Sequence, residues 1–458
     1  MLNHTSFDDV LDTSYLMLVR DYGKSIPSAV KLDLIAKTYK NVFRCISDSQ
    51  VLYQWNGVYY AEIKVLAFTG QLRIMISNSS FKALTQAALT EIYEIIMSLT
   101  LCDDINQQPY IPFKNGYFSY LNAQFLPPSI DYHYTYCLDC EYLKNQDCPK
   151  FKAFLNMITD DPDTQKLLLA YSALCFTPDV GNQLSLFLIG RGANGKSTYT
   201  DIVKGILNKQ CTTMEFDELI NSENRFASYR MKDATCCICS EIEMEDASNK
   251  NINKFKRVIT QPTFWVERKG KDPIEIKNRV KYLVDANNLP LISLSDPYAF
   301  YRRVRVILFR NRIPVKNRIK NFANLLLEEE AGAIAAYILT FLSDQSCLEE
   351  NVQESEDLWA QGIDETRFFI DNYLDVTTNE ETSFKQIYDT YTQYMNIEGL
   401  RALSSIKFAK RLVYVGLKSE HHHQGNYYPV KIKNILAMQN QKLDDILQRE
   451  LEKTIDQS

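Results

Sequence analysis

Phe187-Leu188-Ile189-Gly190-Arg191-Gly192-Ala193-Asn194-Gly195-Lys196-Ser197-Thr198 is the stretch from which the rest of this chain can be read. Its spacing is a glycine, four residues, then glycine-lysine-serine. An apolar strand, Leu184 to Ile189, precedes it. A helix follows, because Ile202/Ile206 and Val203/Leu207 recur at i, i+4. Glycine stands where backbone must come close to a phosphate. Strand, glycine-rich turn and helix in that order predict the phosphate-binding loop of an NTPase. Gly190, Arg191, Gly192, Ala193, Asn194, Gly195, Lys196, Ser197 and Thr198 then form the ATP site. Lys196 reaches the β- and γ-phosphates, and the Ser197 hydroxyl holds Mg2+.

Around this loop the chain has room for two or three domains, at 458 residues. Charged residues make up 24% and hydrophobic residues 45%, an ordinary globular balance. The net charge of −6 gives no overall nucleic-acid signal, so any DNA-binding surface must be local. The longest apolar run, Leu167 to Phe176, is too short to span a bilayer. Met1-Leu2-Asn3-His4 has neither a basic start nor an apolar core, so no signal peptide, no membrane partner and a cytoplasmic location are expected. The eleven cysteines read as reduced thiols. Cys236, Cys237 and Cys239 read as small buried hydrophobes.

Upstream, residues 1–148 mix helix and strand signals. Leu84 to Leu99 has helical spacing. Asn56-Gly57 within Val51 to Ile63 predicts a hairpin, and Asn115-Gly116 repeats the cue. Residues 149–347 alternate strand-like and helix-like segments, which predicts an α/β domain with a parallel sheet. Its further strands are Ala234 to Cys239, Val280 to Ala286 and Val304 to Phe309. The acid-rich residues 348–365 read as a linker. In residues 366–434, two helices, Phe384 to Met395 and Ser405 to Tyr414, precede a β-wing over Leu417 to Ile432. Helix, helix, wing predicts a winged-helix DNA-binding unit. Its recognition helix carries Lys407, Lys410 and Arg411. The wing tip holds His421 to His423, a polar or merely solvated triplet. Residues 435–458 are a helix-compatible tail, expected to pack on its own domain.

Chemistry beyond the loop needs acids at a neighbouring strand end. Ser240-Glu241-Ile242-Glu243 follows Ala234 to Cys239. Glu241 is the first choice to hold Mg2+ or polarise the attacking water, and Glu243 the second. Asn287, after Val280 to Ala286, is placed to meet the γ-phosphate or lytic water. Arg302 and Arg303, ahead of Val304 to Phe309, suit an arginine finger supplied to a neighbour's ATP. Residues 250–281 hold ten Lys/Arg against three acids, a local surplus of seven. Phe264 to Ile276 within them predicts a hairpin whose tip, Lys269 and Lys271, grips a phosphate backbone without reading sequence. His133, Cys137, Cys140 and Cys148 have half the spacing of a zinc site, but the second pair is irregular and unliganded thiols are favoured.

The order of phosphate loop, Ser-Glu strand end, basic hairpin, Asn-x-Leu-Pro and Arg-Arg strand resembles superfamily 3 DNA helicases. Within them it is similar to the helicase part of phage, plasmid and poxvirus primase-helicases. The resemblance covers residues 50–345. Asn115-Gly116, Cys148-Pro149-Lys150-Phe151 and Leu326 to Gly332 also fit. It implies an AAA+-like core, a 1–148 domain of the primase-helicase type, and a hexameric homo-oligomeric ring that moves on single-stranded DNA, usually 3′ to 5′. It further implies unwinding of forked and origin DNA for a mobile element in a bacterial host cell, as in replication initiators of pathogenicity islands and satellite phages. The chain departs from that pattern at Ser240-Glu241, where many relatives have two acids. It departs again at Gln261-Pro262-Thr263, where relatives often have Gly-Gly-Asp. No primase acid cluster stands out in residues 1–148. A rival reading is an ATP-controlled DNA-binding regulator or helicase loader that does not unwind.

Overall fold

The structure is a computed structural model, which describes residues 26–47, 49–77, 83–178, 183–190, 193–220, 227–240, 249–268, 271–287, 289, 300–309, 311, 313–350, 352, 355, 365–377, 380–397, 402–422 and 425–433. Helix α1 (Ser28–Tyr39) leads into β1 (Phe43–Ile46), β2 (Val51–Trp55) and β3 (Tyr60–Glu62). Helices α2 (Val65–Met75) and α3 (Gln86–Leu99) and the short β4 (Leu101–Cys102) follow. The sheet order is β3-β2-β1-β4. The β2–β3 turn forms as its Asn-Gly pair predicts. The Asn56 carboxamide accepts from Val58 N and Tyr59 N, both at 2.9 Å, and Gly57 takes φ +103°. Leu32, Ile35, Leu89, Ile92 and Ile96 close the core beneath this sheet.

A three-stranded meander comes next: β5 (Tyr110–Phe113), β6 (Gly116–Ser119) and β7 (Gln124–Leu126). Its Ile111, Phe113 and Phe118 share one core with α4 (Pro149–Ile158) and α5 (Pro162–Cys175).

The central sheet is parallel throughout. Strands β8 (Ser185–Ile189), β9 (Cys211–Glu215) and β10 (Cys236–Ser240) are joined through α6 (Lys196–Leu207) and α7 (Phe216–Ile220). Helix α8 (Asn249–Thr260) leads to an antiparallel hairpin, β11 (Thr263–Arg268) and β12 (Lys271–Lys277), before β13 (Lys281–Ala286) and β14 (Val304–Leu308). The order is β14-β8-β13-β10-β9. Leu186, Leu188, Ile238, Leu283 and Ile307 face one core, and Phe187, Ile189, Cys237, Cys239, Val284 and Val306 face the other. Burial on both faces is why these strands read as nearly continuous apolar runs. Cys236, Cys237 and Cys239 are buried free thiols.

Helix α9 (Phe322–Leu339) ties the layers together. Its Glu330 carboxylate accepts from Lys150 N at 3.1 Å and Phe151 N at 2.9 Å, filling two orphan donors at the start of α4. Gly332 lies where a Cβ would stand 2.3 Å from the Glu141 carbonyl oxygen. Two sequence segments singled out separately, Cys148 to Phe151 and Leu326 to Gly332, thus meet as one joint. Helix α10 (Ser346–Glu350) follows.

The last described unit holds α11 (Glu365–Tyr373), β15 (Leu374–Val376), β16 (Thr382–Ser383), α12 (Phe384–Ile397), α13 (Ser405–Tyr414), β17 (Glu420–His422), β18 (Gly425–Tyr428) and β19 (Val430–Ile432). Strands pair as β16-β18-β17 and β15-β19. Its core centres on Tyr391 stacked on Phe408, ring centroids 4.2 Å apart. The expected tail, residues 435–458, lies outside the described residues, as does most of the expected linker. No described helix is long and apolar enough to cross a membrane.

Candidate functional site

Strand β8 delivers the glycine-rich loop to the C-terminal edge of the central sheet. Gly190 N donates to the Ala286 carbonyl at 3.3 Å, so the loop begins against the end of β13. A Cβ on Gly190 would stand 2.5 Å from Asn194 Nδ2 and 2.6 Å from the Phe309 carbonyl oxygen. Ala193 takes φ +64° and Gly195 φ +90°, so the chain turns back sharply before α6. Gly195 is the N-cap of α6 and rests on α4, where a Cβ would stand 2.4 Å from Ile158 Cγ2. The loop thus leads into the N-terminus of α6, an anion-seeking end that Gly195 leaves uncapped and whose Lys196 N donates to Asn194 Oδ1 at 3.3 Å.

Gly195→Ala tests that construction. It combines a positive φ with a backbone pressed on Ile158, and the expected cost is about 1–3 kcal/mol of stability. Denaturant unfolding of the full chain reads it; an unshifted midpoint would refute the account of the turn.

Lys196 is 4% exposed. Its Nζ donates to the Gly190 carbonyl at 2.5 Å and to Asn194 Oδ1 at 3.4 Å, and stands 3.7 Å from Asp285 Oδ1. Ser197 Oγ donates to Asp285 Oδ2 at 3.1 Å. Burial pulls the Lys196 pKa below the ordinary lysine value, and the Asp285 carboxylate opposes that pull. Asp285 thus binds both residues singled out for phosphate and Mg2+, yet nothing in the local sequence marks it. It is one of two charged residues in Lys281-Tyr282-Leu283-Val284-Asp285-Ala286, and only the register of β13 beside β8, with Asp285 opposite Leu188, brings it to the loop.

Asn287 follows β13 and is exposed one residue beyond Ala286, whose carbonyl takes the Gly190 amide. The structure thus brings Asn287 beside the loop. Arg191, Gly192, Glu241, Glu243 and Lys269 lie outside the described residues. Ser240 ends β10 in register with Asp285. Lys271 begins β12, where it pairs with Arg268.

Arg302 is exposed and Arg303 half-buried, at the opposite edge of the sheet. The Arg303 carbonyl accepts from Ser185 N at 2.9 Å and Ser185 Oγ at 3.1 Å, which fixes it to the first residue of β8. The length of β8 separates these arginines from the loop of their own chain.

On α13, Lys407 and Lys410 are exposed. Arg411 is not a surface contact: it is 3% exposed. Phe408 and Leu412 point into the core, and Arg411 lies on the same side of the helix turn. Of the less favoured zinc alternative, His133 and two of the cysteines stand in different surroundings. The His133 ring pairs with Asp104 at 2.6 Å and with Arg44 Nη2 at 3.3 Å. Cys140 and Cys148 instead lie in the apolar core, where burial pushes their thiols up, to about 12 and about 11. Among the described residues no three His, Cys, Asp or Glu side chains are arranged to hold a metal ion.

Two protein-family models match the chain. One, described as D5 N terminal like, matches residues 33–160. The other, described as a family of unknown function (DUF5906), matches residues 188–303 and so contains the loop, Asp285 and Asn287. A protein of Acanthamoeba polyphaga mimivirus described as a candidate helicase is 25% identical over 245 residues, 52% of this chain and 25% of its own length. The DNA primase-polymerase of Nitratiruptor phage NrS-1 is 20% identical over 204 residues, 44% of this chain and 28% of its own length. The chain thus spans little more than a quarter of either relative. An apo structure of the NrS-1 C-terminal region aligns with a TM-score of 0.46 at 14% identity, over 85% of this chain and 96% of that one. Over about half its length, then, the chain is similar to viral and phage proteins described as a helicase and as a primase-polymerase.

Proposed function

We propose that this chain is an ATP-driven replicative DNA helicase and replication initiator of superfamily 3. It would work as a hexameric ring moving 3′ to 5′ on single-stranded DNA, unwinding forks and a mobile element's origin. One observation carries the reading: Lys196, Ser197 and Asp285 gather at the sheet edge where β8 leads through the glycine-rich loop into the N-terminus of α6. The five parallel strands support an AAA+-like core. The printed descriptions of the two relatives support a role in replication.

The residues present fit Mg-nucleotide. Ser197 Oγ and Asp285 Oδ2, 3.1 Å apart, are the hard oxygen donors that Mg2+ takes. Bound ATP supplies a phosphoanhydride whose hydrolysis releases the driving energy. The loop backbone from Gly190 to Thr198 holds the phosphates, Lys196 balances their charge, and Asn287 orients water or the terminal phosphate. Glu241 or Glu243 accepts the water proton. Arg302 or Arg303 reaches the pocket of an adjoining subunit. Alternation between subunit arrangements of different nucleotide affinity then moves the Lys269/Lys271 hairpin along the strand.

The unit from α11 to β19 is read as a winged helix that holds origin duplex, with α13 as its recognition helix. Lys407→Ala with Lys410→Ala should weaken duplex binding on all sequences alike. The slope of log affinity against log salt should fall by about 2, one per phosphate contact. Arg411→Ala, by contrast, should lower the stability of that unit. An unchanged salt slope in the lysine variant would remove α13 from the DNA interface. The proposal as a whole is tested by fork unwinding with polarity-defined tails. ATP-dependent assembly on DNA without strand separation would favour the regulator or loader instead.

A further inference from the structure

We infer that Asp285 makes the pocket discriminate between metal-bound and metal-free nucleotide. The inference rests on the nucleotide reading above and adds a residue and a selectivity to it. Asp285 is bonded to Ser197 Oγ at 3.1 Å and stands 3.7 Å from Lys196 Nζ. Its side chain is 15% exposed and that of Lys196 is 5% exposed, so water screens the pair weakly.

Within the chain the pair is self-sufficient: the ammonium answers the carboxylate, and the Gly190 carbonyl and Asn194 carboxamide take the remaining Lys196 donors. A polyphosphate on the loop claims Lys196 and leaves Asp285 facing like charge. Two consequences follow, of opposite sign. Metal-free nucleotide is repelled by the carboxylate. Nucleotide carrying a divalent cation is attracted, because the cation meets Ser197 Oγ and an anionic oxygen together. Asp285 lies on the strand between the loop strand and β10, so it does this in addition to the acids that follow β10.

The test is equilibrium binding of ATPγS to the full chain by calorimetry, in excess EDTA and in excess MgCl2. Wild type should prefer the Mg2+ form. Asp285→Asn should bind the metal-free probe about tenfold more tightly, the scale of one unit charge a few ångströms away. It should bind the Mg2+ form no more tightly than wild type, so the preference for metal collapses. Asp285→Ser, a second neutral replacement, should give the same pattern. If both variants shift the two affinities by the same factor, Asp285 merely anchors Lys196 and the inference is overturned. Lys196→Ala separates the two failures. Binding lost in Lys196→Ala, with metal preference unchanged in the Asp285 variants, refutes this inference alone. A wild type that binds ATPγS in neither condition refutes the nucleotide reading and this inference with it.

Discussion

Lys196→Ala is expected to lower ATP turnover by at least about 10²–10³-fold, the cost of removing one preorganised donor to developing charge. It should abolish fork unwinding with it. The size of the effect follows from burial. Lys196 is 4% exposed and is surrounded by Gly190, Asn194 and Asp285, so water cannot stand in for the missing ammonium. The substitution also leaves Asp285 without its cation, which adds repulsion toward phosphate. Arginine should not rescue, because its longer planar fork does not fit where a point charge meets the Gly190 carbonyl. Some loss of stability will accompany Lys196→Ala, since an uncompensated carboxylate remains in the pocket. Circular dichroism and an unfolding midpoint separate that loss from the catalytic one. Equal unwinding by wild type and variant would reject the ATP site.

How much of this was legible in the chain depends on what each element faces. Strands β8, β10, β13 and β14 could be read because both of their faces are buried, which leaves a run of apolar residues and no alternation. Strand β9 could not. Cys211-Thr212-Thr213-Met214-Glu215 lies at the sheet edge with only Met214 fully buried, so its sequence is nearly polar. Asp285 escaped for a different reason. Its role depends on which strand lies beside β8, a long-range fact that no local pattern carries. Arg411 was legible and was misread: Phe408 and Leu412 mark the core side of α13, and helical phase puts residue 411 with them. His133 and Cys148 share a stretch of sequence but not a site, one beside Asp104 and Arg44 and the other in the apolar core, since spacing does not say where a loop turns each side chain.

Arg302 and Arg303 yield the other large expected effect, and its logic is geometric. Arg303 is held to Ser185, the first residue of β8, while the glycine-rich loop begins after its last residue, Ile189. At about 3.3 Å per residue, the strand sets roughly 13 Å between these two edges, beyond productive reach across a packed sheet. Arginines that serve an ATP pocket from this position must serve an adjoining subunit's pocket. Arg302→Ala with Arg303→Ala should then lower turnover by about 10³–10⁵-fold. The Lys196→Ala chain should be inactive as well, yet it keeps intact arginines. Mixing the two inactive chains before assembly should restore turnover, because roughly a quarter of the junctions in a randomly mixed ring join an intact loop to intact arginines. Restored turnover rising with the product of the two fractions is the expected signature. A mixture no more active than its components, in particles shown to contain both, would mean that each chain closes its own pocket or that these arginines serve only the fold.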